Sequence, residues 1–297
     1  MFKLISAGFY RLRKSFCFKI YIECGFLYGV MNVLFCYIDV SRIQVAITSE
    51  AIDSSASVLD LYENRFDSVL FDSAMNWLLF AAVFTAMFIG REHGDGTMRN
   101  KLIVGYGRGA VYLSNLVVCL TANILCMLIG LGATMALGIP LLGTSFTFAE
   151  IVLRIGYMIV VDIAVTALMV FGAMLIKSKA AICTVLLLSV FASFIVTIVI
   201  EEGVSTPEYY NDYELVINEN GEYVPEIREQ VKNPYYISGV QRQIYEFLDE
   251  ALPMSQLYHM AASAEVPDPA VALASDAVIL VLFTGMGILF FRKKNIK

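Results

Sequence analysis

Charge is what this sequence has least of for its length. Of 297 residues only 16% are Asp, Glu, Lys or Arg, and 58% are hydrophobic. Soluble domains carry about 25% charged and about 45–50% apolar residues. That shortage excludes an ordinary soluble domain and makes the bilayer the expected solvent for much of the chain. Histidine is nearly absent: His93 and His259 are the only two, and no H-E-x-x-H occurs. The six cysteines, Cys17, Cys24, Cys36, Cys119, Cys126 and Cys183, lie in or beside apolar stretches. No pair has metal-ligand spacing and the long polar segments have none, so neither a cysteine metal site nor a disulfide framework is indicated. They read as small buried apolar residues. A P-loop is also lacking, so the chain cannot cradle ATP phosphates in a loop of its own. Gly105-Tyr106-Gly107-Arg108-Gly109 is glycine-rich but has neither the lysine nor a preceding strand, and reads as a turn. No basic, aromatic-interleaved stretch lies outside the membrane flanks, so nucleic acid is not an expected partner.

What the sequence has is apolar length. Six stretches, at 16–38, 71–89, 111–137, 151–176, 180–200 and 271–291, can each cross about 30 Å of hydrocarbon at about 1.5 Å per residue. The first follows a basic N-terminus, as in a signal peptide. It is too long for an h-region and no A-x-A-like site follows, so it reads as a retained span. The expected fold is an all-α polytopic membrane protein, with residues 1–297 as one transmembrane domain.

Orientation follows from Lys and Arg. The N-terminal segment carries Lys3, Arg11, Arg13, Lys14 and Lys19. The loop after span two carries Arg91, Arg99, Lys101 and Arg108. Lys177 and Lys179 follow span four; Arg292, Lys293, Lys294 and Lys297 form the tail. These are 15 of the 21 basic residues, and six spans put all four segments on one side, with both termini cytoplasmic. Only Glu92 and Asp95 share that side as acids. The stretches 39–72 and 201–268 are acidic and expected outside.

The outer segment 201–270 is the longest connection. Its first half is polar and turn-rich (Pro207, Asn218, Asn220, Gly221, Pro225). From Gly239, Val240, Ile244, Phe247, Leu248 and Ala251 recur at helical spacing and end near Pro253: an amphipathic helix that lies on the leaflet or covers the bundle. Phe2, Ile5, Phe9 and Leu12 form a second stripe, either an in-plane helix on the cytoplasmic face or simply a basic topogenic flank.

Polar residues within spans are few. Glu23 and Asp162 are the acidic ones; each is either a contact on a translocation path or a structural group in a pair or near water. Asn32, Asn76, Asn115 and Asn123 are expected to hydrogen-bond between helices. Gly25 and Gly29 form a G-x-x-x-G that marks a subunit interface or an internal contact.

The most informative stretch is Gly90–Arg108. Asp95 or Thr97 is placed to cap a short helix. Met98 and Leu102 then share one face, with Arg99, Asn100 and Lys101 on the others. Such a helix, bracketed by glycines and lying along the membrane, either docks into a groove on a cytoplasmic partner or is a charged loop that fixes topology.

The segment GREHGDGTMRNKLIVGYGRGAVYLSNLVV, Gly90 to Val118, resembles the loop between spans two and three of ABC type-2 permeases, the membrane subunits of bacterial ATP-driven exporters. NPYYISGVQRQIYEFLDEALPMSQ, Asn233 to Gln256, resembles the outer segment before the last span of clostridial-type members. The family implies a coupling helix docking on a separate ATPase. By position Arg91, Glu92, Gly96, Thr97, Met98, Arg99, Asn100, Lys101 and Leu102 occupy that motif, and Arg108 and Tyr112 match the lead into span three. It also implies two ATP-binding subunits carrying ATP and Mg, no cofactor on this chain, a second permease subunit (identical or related), and a bacterial cytoplasmic membrane. The outer segment is longer than is common in that family.

Two other readings stay open. One is a gradient-driven transporter or channel using Glu23 and Asp162. The other is a membrane sensor or immunity protein whose outer segment does the binding. Few ionisable groups within an apolar bundle favour an amphiphilic substrate over a small ion.

Overall fold

Each apolar stretch falls in one long helix, save that Ile176 lies just past the end of the fourth. The computed structural model describes residues 1–48, 65–217, 223–262 and 268–294. The acidic segment 49–64 and the turn residues Asn218, Asn220 and Gly221 lie outside the described residues. A short amphipathic helix α1 (Phe2–Lys14) leads into α2 (Phe16–Thr48). Then come α3 (Arg65–Gly94), the seven-residue α4 (Thr97–Ile103), α5 (Arg108–Leu142), α6 (Phe148–Leu175) and α7 (Lys179–Ser205). After α7 the chain forms β1 (Tyr209–Ile217), β2 (Tyr223–Lys232), α8 (Val240–Ala251), α9 (Pro253–Ala262) and α10 (Pro269–Lys293). Five of these helices, α2, α5, α6, α7 and α10, are long and apolar enough to cross a membrane.

α7 and α10 each carry an outward apolar face. Leu188, Phe191, Ile195 and Val199 on α7 are exposed, as are Val278, Val281, Leu282 and Leu289 on α10. Continuous apolar faces of this size are an aggregation liability in water and ordinary in lipid, where only closed backbone structure such as helix is tolerated. α3 runs through the middle instead, with α2, α5, α6, α7 and α9 packed around it.

Aromatic stacking joins α2 to α3. Tyr21 stacks on Phe84 at 4.4 Å between centroids and meets Trp77 at 5.4 Å. Phe84 continues to Phe88 at 5.6 Å, and the Arg11 guanidinium lies 4.0 Å from the Phe88 ring centre. α2 meets α5 backbone to backbone. Gly25 and Gly29 are buried on this seam, and a methyl added to Gly29 would collide with the Gly130 carbonyl. The G-x-x-x-G is therefore an internal contact, in the small-residue manner of membrane helices. Tyr21 OH donates to Asn123 Oδ1 at 3.1 Å and Asn123 Nδ2 to Thr166 Oγ1 at 2.8 Å, linking α2, α5 and α6. Asn115 also bonds between helices, whereas Asn32 Nδ2 has no partner among the described residues.

Local signals set the helix ends. Thr147 and Glu150 cap each other at the start of α6, a capping box that satisfies two orphan donors. Asp67, in the first turn of α3, accepts from Ser145 N at 2.9 Å and so ties α3 to the turn between α5 and α6.

The outer segment departs from the all-α expectation. β1 and β2 pair antiparallel from Tyr209↔Lys232 to Ile217↔Tyr223, with one irregularity at Asp212/Tyr213. Tyr, Val and Ile favour an extended chain, and that preference overrode the polar, turn-rich look of the segment. α8 is the expected amphipathic helix, and its Val240, Ile244 and Phe247 are exposed. Covering the bundle falls to α9, which the sequence pattern did not mark. Its Met254, Ser255, Gln256, Leu257 and Met260 are buried, against α3, α6 and α7.

Candidate functional site

Glu92, in the last turn of α3, is buried to 1% exposure. Its carboxylate accepts from Arg11 of α1 and Lys101 of α4, and from Asn115 Nδ2 of α5 at 2.6 Å. One side chain thus joins four helices. A buried carboxylate is tolerated here because two cations and an amide replace its water. The sequence placed Glu92 and Lys101 in one motif and marked Asn115 for an interhelical hydrogen bond, but did not join Asn115 or Arg11 to Glu92. Those partners come from 81 residues before and 23 residues after Glu92. The available clue was an acid set among so many bases.

The pairing fixes which way α4 faces. Lys101, expected on another face, in fact shares that of Met98 and Leu102 at i, i+3, i+4 spacing. Lys101 is drawn to Glu92, so that face turns inward. Met98 is wholly buried and Leu102 is packed against the core. The expectation that Met98 and Leu102 present an apolar docking face is therefore corrected. The outward surface is Arg99 and Asn100, followed by Ile103 and Val104 at 70% and 74% exposure. Capping differs as well. Neither Asp95 nor Thr97 caps α4: its N-cap is Gly96, at φ 67°, a left-handed conformation that glycine adopts without strain. Asp95 instead pairs with Arg91 at 3.3 Å, both exposed.

Arg108, grouped with the docking residues by resemblance, has a structural task. Its Nη1 donates to the carbonyls of Phe291, Arg292 and Lys294 at 3.2, 2.8 and 2.6 Å. These carbonyls end α10, where a helix leaves its last acceptors unsatisfied and its dipole negative. Lys294 Nζ in turn donates to Met174 O at 2.8 Å at the end of α6. Burial and nearby Lys177 push the Lys294 pKa down to about 8. The four basic segments of the sequence thus meet at one end of the bundle. His93 lies there too. Burial, and then the Lys294 charge, bring its pKa down to about 4. A cavity of about 280 Å³ opens beside the junction, lined by Arg11, Lys14, Arg91, Glu92, Asp95 and Thr97 among others.

The two acids considered for a path are not brought together. Glu23 is exposed on the outer surface of α2, while Tyr21, about 200° round the helix, faces inward. Asp162 is buried in α6, and neither of its carboxylate oxygens has a hydrogen-bond partner among the described residues.

The fold and its apolar surface define a multi-pass helical membrane protein. No protein-family model matches the chain, and its sequence matches no curated protein.

Proposed function

We propose that this chain is the membrane subunit of an ATP-driven exporter of the ABC type-2 permease kind. On this reading it crosses the cytoplasmic membrane of a bacterium six times, with α3 as the sixth crossing helix and both termini inside. The observation that carries the reading is the Glu92 junction. A short helix lying across the end of the bundle serves as a lever only if it is fixed to the elements it moves. α4 is bound through Lys101 and Glu92 to α3, and through the same carboxylate to α1 and α5. Its outward face, Arg99, Asn100, Ile103 and Val104, offers a guanidinium, an amide and an apolar tip to a groove on a partner.

ATP and Mg would bind two separate subunits, and this chain would supply no nucleotide site. Closure of the ATPase pair would push on α4, and the junction would pass the displacement to α3, the helix around which the bundle is packed. The partner thus biases a two-state element. A second permease subunit, identical or related, would complete the path. The cargo is an amphiphile such as a peptide or lipid, since the bundle interior offers few charges. α9 covers the acidic end and would have to move for release.

The test is co-purification in detergent with a candidate ATP-binding subunit, comparing wild type with Ile103→Asp/Val104→Asp. Both positions are exposed, so the variant is expected to fold and to lose the partner at least tenfold. Retention by the variant, or no association by a well-folded wild type, rejects the α4 docking reading.

A second reading, a gradient-driven carrier, is favoured by one observation: the buried carboxylate of Asp162, which has no hydrogen-bond partner among the described residues. It expects transport without any ATPase and loss of transport in Asp162→Asn. The exposed position of Glu23 argues against the two-acid path. The sensor or immunity reading has no observation of its own beyond the elaborated outer segment.

A further inference from the structure

At the acidic end, Glu201 in α7, Asp249 in α8 and His259 in α9 bring one ligand-type atom each within 4.8 Å of one another. His259 Nε2 lies 2.7 Å from Asp249 Oδ2 and 3.9 Å from Glu201 Oε2. We propose that these three side chains form a binding site for one divalent transition-metal ion of the zinc class.

The donor set selects the ion. An imidazole nitrogen with two carboxylates suits a borderline-soft metal such as zinc, whereas magnesium and calcium take oxygen ligands throughout. The spacing fits as well. Bonds of about 2.0–2.2 Å in a tetrahedral site put ligand atoms roughly 3.3–3.5 Å apart, and the two measured separations fall on either side of that. Small side-chain rotations bring the atoms into place. The imidazole proton now shared with Asp249 would leave as the metal binds Nε2.

A second observation points to a ligand here. The Asp249 side chain is only 7% exposed, and its Oδ1 is buried without a hydrogen-bond partner among the described residues. Leaving such an oxygen bare is costly, and a cation bound at the same carboxylate offsets that cost. Glu201 and His259 remain partly exposed, at 29% and 23% of their side chains, so an ion can enter and keep a water as its fourth ligand. Three ligands from three helices also tie α8 and α9 to the end of α7. Bound metal would therefore hold the covering helix α9 in place. This site is independent of the exporter reading.

The experiment uses the full chain in detergent, stripped with chelator, titrated calorimetrically with Zn²⁺ and separately with Mg²⁺. Expected are one Zn²⁺ per chain, no Mg²⁺ at the same concentrations, and at least tenfold weaker zinc binding in Asp249→Asn and His259→Gln. X-ray absorption of zinc-loaded wild type gives a reading that needs no variant: imidazole and oxygen ligands without sulfur. Absence of stoichiometric zinc binding, undiminished affinity in well-folded variants, or sulfur in the metal shell from the chain's cysteines would each overturn the proposal.

Discussion

Burying a carboxylate costs several kcal/mol unless its partners are buried with it, and Glu92 keeps three. Arg11 and Lys101 hold 29% and 14% exposed side chains around a carboxylate with none. Removing the acid leaves two cations facing each other across an apolar junction. Glu92→Gln is therefore expected to destabilise the chain by about 3–5 kcal/mol, read as a lower thermal unfolding midpoint in detergent. An unchanged midpoint would mean that the junction does not hold these helices together. Glu92 was legible in the sequence as an oddity, since only it and Asp95 are acids on the basic side. Its partners were not, because hydrogen bonds between residues 81 and 23 positions apart leave no local pattern. Met98 shows the reverse error. Its apolar side chain was legible, but which way it faced depended on Lys101 meeting Glu92.

Elements were easier to read where one physical rule dominates. The six apolar stretches fall in six long helices, five of them long and apolar enough to cross a membrane, where lipid demands internally satisfied backbone. The same rule says little about an outer segment in water. There Asn220-Gly221 between Tyr-, Val- and Ile-rich runs was the hairpin signal, and it was outweighed by the polar composition around it. α9 was hidden because it is short and begins at Pro253, a residue that cannot continue one helix but is tolerated in the first turn of the next. The α2–α5 seam gives the test at this scale. Thr134 Oγ1 donates to Gly29 O at 3.4 Å and also to Gly130 O at 3.0 Å, so the two backbones touch with no room for a side chain. Gly29→Ala is expected to cost about 1–3 kcal/mol through overpacking. Gly132→Ala meets open space and is expected to be close to neutral. Equal unfolding midpoints for the two variants would show that the seam opens without cost.

At the scale of the whole molecule, charge and packing agree on a polarity. Lys and Arg cluster in four segments far apart in sequence. Arg11 with Glu92, Arg108 with the end of α10, and Lys294 with the end of α6 bring those segments to one end. Asp67, Glu201 and Asp249 lie at or beyond the opposite ends of their helices. A bundle with that polarity is expected to insert in one sense, with its basic flanks on the cytoplasmic side. On the proposed reading, the three crossings α5, α6 and α7 put α4 and the outer segment on opposite sides of the membrane. Arg99 and Tyr235 report on the two, and the Tyr235 side chain is 83% exposed. Single cysteines at these positions, in a background with the half-buried Cys17, Cys24 and Cys183 replaced by serine, give the measurement. A membrane-impermeant maleimide is expected to label Tyr235→Cys in intact cells and Arg99→Cys only after permeabilisation. Labelling of both from outside, or of neither, would put α4 and the outer segment on one side. Either outcome would remove one of the crossings α5 to α7, and labelling of both from outside would also remove the cytoplasmic placement on which α4 docking depends.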